Sequence, residues 1–170
     1  TFIIPVFLDS NNKQEIQFSK EYASAEILKL NKSNLVHIGN QMLKNTYGWG
    51  GMFGERDCSA LIKEMYTPFG YVLPRNSSSQ AKKGEIISFN GLTNEQKIAL
   101  IKEKGIPFET ILFLKGHVML YIGVHDGNAM VLHNIWGVRT VSKTGVKGRA
   151  IVGKAVVSTL LLGSERDDFD

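Results

Sequence analysis

With 170 residues and 43% hydrophobic content, the chain suits one domain with a real core, and its single cysteine excludes an intrachain disulfide scaffold. A formal net charge of +4 fits an anionic partner such as a cell-wall polymer, but no dense Lys/Arg run with interleaved aromatics points to nucleic acid. No apolar run approaches the ~20 residues of a membrane span. The opening TFIIPVFLDS is broken by Pro5 and lacks a basic start and a small-residue cleavage site, so it does not read as a signal peptide. The sequence also starts without Met, and a processed protein or excised fragment is expected.

In chain order, residues 1–32 read as short strands and turns, with Phe2, Ile3, Ile4, Val6, Phe7 and Leu8 apolar and DSNNKQE a polar turn. They are too few for a domain and are expected to end a preceding β module or to pack as a strand pair. The main body, 33–160, opens with a helix capped by Ser33 and carrying Leu35, Ile38, Met42 and Leu43 on one face. TYGWGGMFGERD (46–57) is a Gly-rich loop. A second helix starts near Cys58, carries Leu61, Ile62, Met65 and Tyr66, and ends at Pro68 and Gly70. LPRNSSSQ (73–80) reads as a polar loop and GEIISF (84–89) as a strand. Thr93–Lys104 reads as a surface helix with Thr93 and Gln96 at capping-box spacing, an insertion or lid being the alternative. Strands are expected at 110–114, 117–124, 129–137 and 150–157, followed by a polar tail, 161–170. Helices first and antiparallel strands after make the fold class α+β.

The lone thiol is the chemical focus. A cysteine attacks as thiolate, and the free amides and aligned dipoles of a helix N-terminus favour negative charge there. RDCSALIKEMY puts Cys58 in such a place, with Asp57 or a neighbour as cap. The same amides can hold the oxyanion of an attacked carbonyl. The alternative is a small buried hydrophobe. A cysteine nucleophile needs a base, and histidine is the usual one. His37 falls on the polar face of the first helix. His117 opens an alternating strand, with Val118, Leu120, Ile122 and Val124 on one face and His117, Met119 and Tyr121 on the other. His133 lies on the next strand. The two face each other directly only if the hairpin is centred on His125 in a five-residue loop flanked by Gly123 and Gly127, the preferred reading. A two-residue turn at Asp126-Gly127, the competing reading, sends His133 to the opposite face. In the preferred register His133 bonds one ring nitrogen of His117 while the other serves Cys58, and His125 sits at the exposed tip. No HExxH pair or Cys/His cluster stands at ligand spacing, so no metal and no cofactor are expected.

YGWGG (47–51), RDCSAL (56–61), LPRNSSSQ (73–80), GHVMLYIG (116–123) and HNIWG (133–137) resemble, in order and spacing, the NlpC/P60 cell-wall endopeptidases, papain-like cysteine peptidases. The resemblance covers roughly residues 33–157. It implies helices packed on a central antiparallel sheet, with the nucleophile at a helix N-terminus. It implies hydrolysis of peptidoglycan stem peptides, typically between D-isoglutamyl and meso-diaminopimelate, in the bacterial envelope, periplasmic or secreted. By position, Cys58 matches the nucleophile, His117 the base, His133 the polar third member and Tyr47 an oxyanion-hole hydroxyl. Asp57, Ser59, Arg75, Ser77 and Trp49 match substrate-binding positions. The chain departs from the family at Ala60, where Gly is common, at Asn76, where an acid is common, and over Thr93–Lys104, which replaces a short connection. Residues 1–32 resemble the trailing strands of an SH3-like bacterial domain. Rival readings are an amidase or acyltransferase on the same Cys-His fold, an inactive cell-wall-binding module and a basic nucleic-acid binder.

Overall fold

The computed structural model describes residues 2–9, 12–20 and 25–164. Strands β1 (Phe2–Asp9) and β2 (Asn12–Phe18) form an antiparallel pair in a sheet of their own. The main body carries α1 (Lys32–Met42), α2 (Cys58–Tyr66), α3 (Ser77–Gln80) and α4 (Asn94–Lys104). It is completed by β3 (Ile111–Leu114), β4 (His117–His125), β5 (Asn128–Val141) and β6 (Lys147–Thr159), antiparallel in the order β3-β4-β5-β6. The α+β architecture expected from the order of elements is the one observed. The tail expected at 161–170 lies outside the described residues from 165 onward. Among the described residues, no helix is long and apolar enough to cross a membrane.

Local chemistry sets the helix starts. Asn31, not Ser33, caps α1: it is extended, and its side chain accepts the Asn34 N–H at 2.9 Å, which leaves Ser33 inside the first turn. Asp57 caps α2. Thr93 and Gln96 close both bonds of a capping box on α4.

The sheet is buried on both faces. Val118 and Leu120 of β4, with Leu132 of β5, pack against Leu35 of α1 and Leu61, Ile62 and Met65 of α2. Each such side chain, taken fully out of water, contributes about 1.5–3 kcal/mol. Gly39 permits the close approach of α1, since a Cβ there would lie 3.3 Å from Met65 Cε. On the other face, Met119, Tyr121, Val131 and Leu112 surround Ile101 of α4. The Thr93–Lys104 stretch is the surface helix expected, anchored on the second face of the sheet by Ile101, its one buried residue.

Beyond the α1 cap, three further expectations change. GEIISF forms no strand, and Ile86 and Ile87 are exposed, while Phe89 packs on the second core. Both edges of β4 are taken, by β3 and β5, and the four-residue β3 offers little edge for another strand. β5 and β6 run beyond 129–137 and 150–157, because Val138–Val141 pairs with Lys147–Ala150 as a polar two-stranded arm that carries no hydrophobic alternation. The β4–β5 hairpin is the third. It turns at Asp126 and Gly127, φ +46° and +75°, a two-residue turn with both central residues left-handed. The five-residue loop centred on His125 is not formed. A bulge at Ile122 then shifts the register from Gly123↔Met130 to Tyr121↔Val131. That single extra residue cancels the parity change of the tight turn and returns His133 to the His117 face, diagonal to it rather than directly opposite.

Candidate active site

Tyr47 lies near Cys58, the Cys58 sulfur meets the Val118 amide, and His117, the residue before Val118, is hydrogen-bonded to His133. Residues 44–47 run along the outer edge of β6, with Lys44 N–H on Ala155 O and Tyr47 N–H on Gly153 O, both at 2.9 Å. The chain then reaches Arg56, whose carbonyl accepts the Gly48 N–H at 2.9 Å and the Asn134 side-chain amide at 2.7 Å. Asn134 is fully buried on the α2 side of β5 and so ties the start of α2 to the sheet. Gly48 is required here, because a Cβ would come within 2.5 Å of Glu55 Cβ.

Cys58 is the first residue of α2 and is buried. Burial raises its thiol pKa, and the nearby Asp57 charge adds to the rise. The Val118 N–H, and those of Ser59 and Cys58, pull it down without overcoming burial. The helix-start effect read from the sequence exists but is outweighed. The Val118 contact also locates the sulfur: α2 packs on the Val118/Leu120 face, whereas His117 shares its face with Met119. The sulfur meets the sheet at the rim, beside the residue that follows His117.

The histidines form a buried series. His117 Nε2 lies 2.9 Å from His133 Nδ1, and His133 Nε2 lies 3.0 Å from Ser158 Oγ. This engages one nitrogen of His117 and both of His133. Burial lowers the His117 pKa to about 4, and burial followed by the His117 charge lowers that of His133 to about 3. At neutral pH both rings are neutral. His37 is exposed beside Gln41, and His125 is exposed at the turn.

On the opposite flank Arg75 grips Asp57 through two nitrogens, Nη1 on Oδ1 at 2.9 Å and Nη2 on Oδ2 at 2.8 Å. Asp57 Oδ1 also accepts the Ala60 N–H at 2.8 Å and the Ser59 hydroxyl at 3.0 Å. Burial alone would raise the Asp57 carboxyl. The hydrogen bonds from Arg75, Ala60 and Ser59, with the Arg75 charge, hold it below its ordinary value instead. Ala60 in place of the commoner Gly therefore costs nothing at the cap, which uses only its backbone. Gln80, buried, braces this corner by donating to Ser59 O and Pro74 O, both at 2.9 Å. Ser77 opens α3, a short helical turn inside what reads in sequence as a loop.

Tyr47 is half-buried, and its pKa is pushed up to about 12 by burial and then by the charges of Cys58 and Asp57. It stays a donor at neutral pH. Its ring stands 6.1 Å from those of Trp49 and Trp136. Trp49 is 67% exposed, so it borders the site rather than filling it. Sequence reasoning missed Ser158, Asn134 and Gln80. Ser158 falls one residue past the expected end of the last strand, and single polar residues in a strand or loop carry no local signal.

The NlpC/P60 family profile matches residues 44–156, a span that includes Tyr47, Cys58, His117 and His133. The chain belongs to the NlpC/P60 family. Among solved structures it is similar to an NlpC/P60 endopeptidase from Photobacterium damselae subsp. piscicida, at 29% identity and TM-score 0.82. That match covers 95% of this chain and 39% of the other, so the chain spans well under half the length of this relative. An NlpC/P60 family protein from Bacillus cereus matches at 22% identity and TM-score 0.55, over 94% of this chain and 46% of that one. The peptidoglycan hydrolase RipB from Mycobacterium tuberculosis matches at 17% identity and TM-score 0.49, over 81% and 60%. No curated protein matches the sequence. The NlpC/P60 span contains both flanks of Cys58, the histidine pair on one side and the Asp57–Arg75 pair on the other.

Proposed function

We propose that this NlpC/P60 chain is a cysteine endopeptidase that hydrolyses peptidoglycan stem peptides at the D-isoglutamyl–meso-diaminopimelate bond, in the bacterial envelope. Cys58 is the nucleophile, His117 the base and His133 its orienting partner. The observation that supports this most is the His117–His133 hydrogen bond at 2.9 Å, which leaves His117 Nδ1 unengaged on the residue next to the amide that meets the Cys58 sulfur.

The directions of the pKa shifts favour a neutral thiol beside a neutral imidazole, not a resting thiolate–imidazolium pair. In the proposed reaction, His117 Nδ1 removes the thiol proton as the sulfur attacks the amide carbon. The Cys58 N–H and the Tyr47 hydroxyl hold the oxyanion. The C–N bond then breaks, and the imidazolium gives its proton to the leaving amine. Water, deprotonated by the same nitrogen, cleaves the thioester and restores the thiol. Asp57 and Arg75 neutralise each other and, with Ser59, Ser77 and Trp49, form the proposed substrate wall. An SH3-like domain preceding residue 33 is the proposed source of further substrate contacts.

The test is mass spectrometry of products from defined stem peptides. Cleavage at the D-isoglutamyl–diaminopimelate bond by the wild type and none by Cys58→Ala is the expected result. Transfer of the acyl group to an added amine rather than to water would make the protein an acyltransferase. Equal cleavage by Cys58→Ala would remove the nucleophile assignment.

A further inference from the structure

From the hydrogen-bond series behind His117, we infer that Ser158 is a positioning residue: it sets the tautomer of both histidines and so presents a lone pair, not a proton, at His117 Nδ1. The inference rests on the proposed role of His117 as base.

Two tautomer patterns satisfy the distances His117 Nε2···His133 Nδ1 of 2.9 Å and His133 Nε2···Ser158 Oγ of 3.0 Å. In one, each group donates outward: His117 Nε2–H to His133, His133 Nε2–H to Ser158. In the other the protons run inward, from Ser158 to His133 Nε2 and from His133 Nδ1–H to His117 Nε2. The inward pattern leaves His117 Nδ1 carrying the hydrogen and unable to take one from a thiol.

The end of the series decides between them. Ser158 Oγ lies 3.0 Å from the Thr159 carbonyl oxygen, which can only accept. A hydroxyl has one hydrogen. If Ser158 spends it on Thr159, its Oγ lone pairs face His133 and demand Nε2–H there, and the outward pattern follows with three bonds made. If Ser158 spends it on His133, the hydroxyl and carbonyl oxygens face each other with no proton between them, and only two bonds are made. A backbone carbonyl on β6 thus fixes the polarity of a series ending at the base. The pattern also survives catalysis: imidazolium at His117 still donates Nε2–H to a neutral His133, so no other proton has to move.

The readout is the nitrogen-15 spectrum of the imidazoles in the full chain at pH 7, where Nδ1–H and Nε2–H tautomers have distinct signatures. The expected result is Nε2–H at both His117 and His133 in the wild type. In Ser158→Ala a measurable Nδ1–H population should appear, with kcat/KM falling about fivefold, the scale of one net hydrogen bond. Ser158→Thr, which keeps the hydroxyl, should restore both. Nδ1–H at His117 in the wild type, or tautomers unchanged in a folded Ser158→Ala, overturns the inference. The spectrum needs no activity, so failure of the tautomer assignment is separable from failure of the peptidase reading, which Cys58→Ala tests.

Discussion

The two polar networks that flank Cys58 are built on opposite principles. On the helix side, Asp57 and Arg75 are both charged, bidentate and partly open to solvent, and they carry the N-cap of α2. On the sheet side, His117, His133 and Ser158 form a neutral, buried series from which burial has removed charge near pH 7. A charged pair gives fixed geometry, and a neutral series gives a place for a proton to arrive. The thiol, itself held neutral by burial, follows the charged anchor directly in the chain and meets the sheet at Val118, the residue after His117.

The largest expected effect comes from cutting the neutral side. His117→Ala should lower kcat/KM by at least about 10³-fold, as loss of a general base does, with little change in melting temperature. A stopped-time assay on a defined stem peptide, paired with thermal melts, checks both halves.

Breaking the ionic side should reverse that balance. Asp57→Ala removes the α2 cap and strands Arg75, costing about 2 kcal/mol of stability, with a smaller loss of activity. Denaturant titration measures the first and the peptide assay the second.

The pH dependence separates the networks without mutation. His117 and His133 have folded pKa values below the ordinary 6.5, so the unfolded chain binds more protons there. Their stabilisation is complete above pH 6.5 and is lost as pH falls toward about 4 and 3. Asp57 has a lowered carboxylate pKa, so its contribution persists to the ordinary value of 3.8 and is lost only as pH falls below it. Melting temperature should therefore drop in two stages, and His133→Asn should flatten the upper one. The acid limb of kcat/KM should lie near pH 4, where His117 protonates, rather than near 6.5.

The smallest effect belongs to the rim. Trp49→Ala should raise KM about threefold and leave stability within about 0.5 kcal/mol, as for most exposed positions.

Much of the site is written locally. Asp57 before Cys58 at the start of an apolar-periodic run fixes a capped helix, and His117 opening an alternating strand fixes its place at a rim. What the sequence did not disclose is relational. The Asp126-Gly127 turn was legible, but the bulge at Ile122 that restores His133 to the His117 face has no residue signature. The electrostatics divide in the same way: the helix N-terminus is visible in RDCSAL, whereas the burial that outweighs it comes from packing α2 on β4 and β5, far along the chain. GEIISF has strand-like residues, but it lies beside β3, an edge strand of only four residues.

The most direct measurement is rapid acid quench of the protein mixed with a D-isoglutamyl–diaminopimelate peptide, followed by intact-protein and fragment mass spectrometry. An acyl adduct on Cys58 that forms and decays at the rate of turnover is the expected result, absent in Cys58→Ala. Turnover with no adduct on the thiol, undiminished in Cys58→Ala, would contradict it.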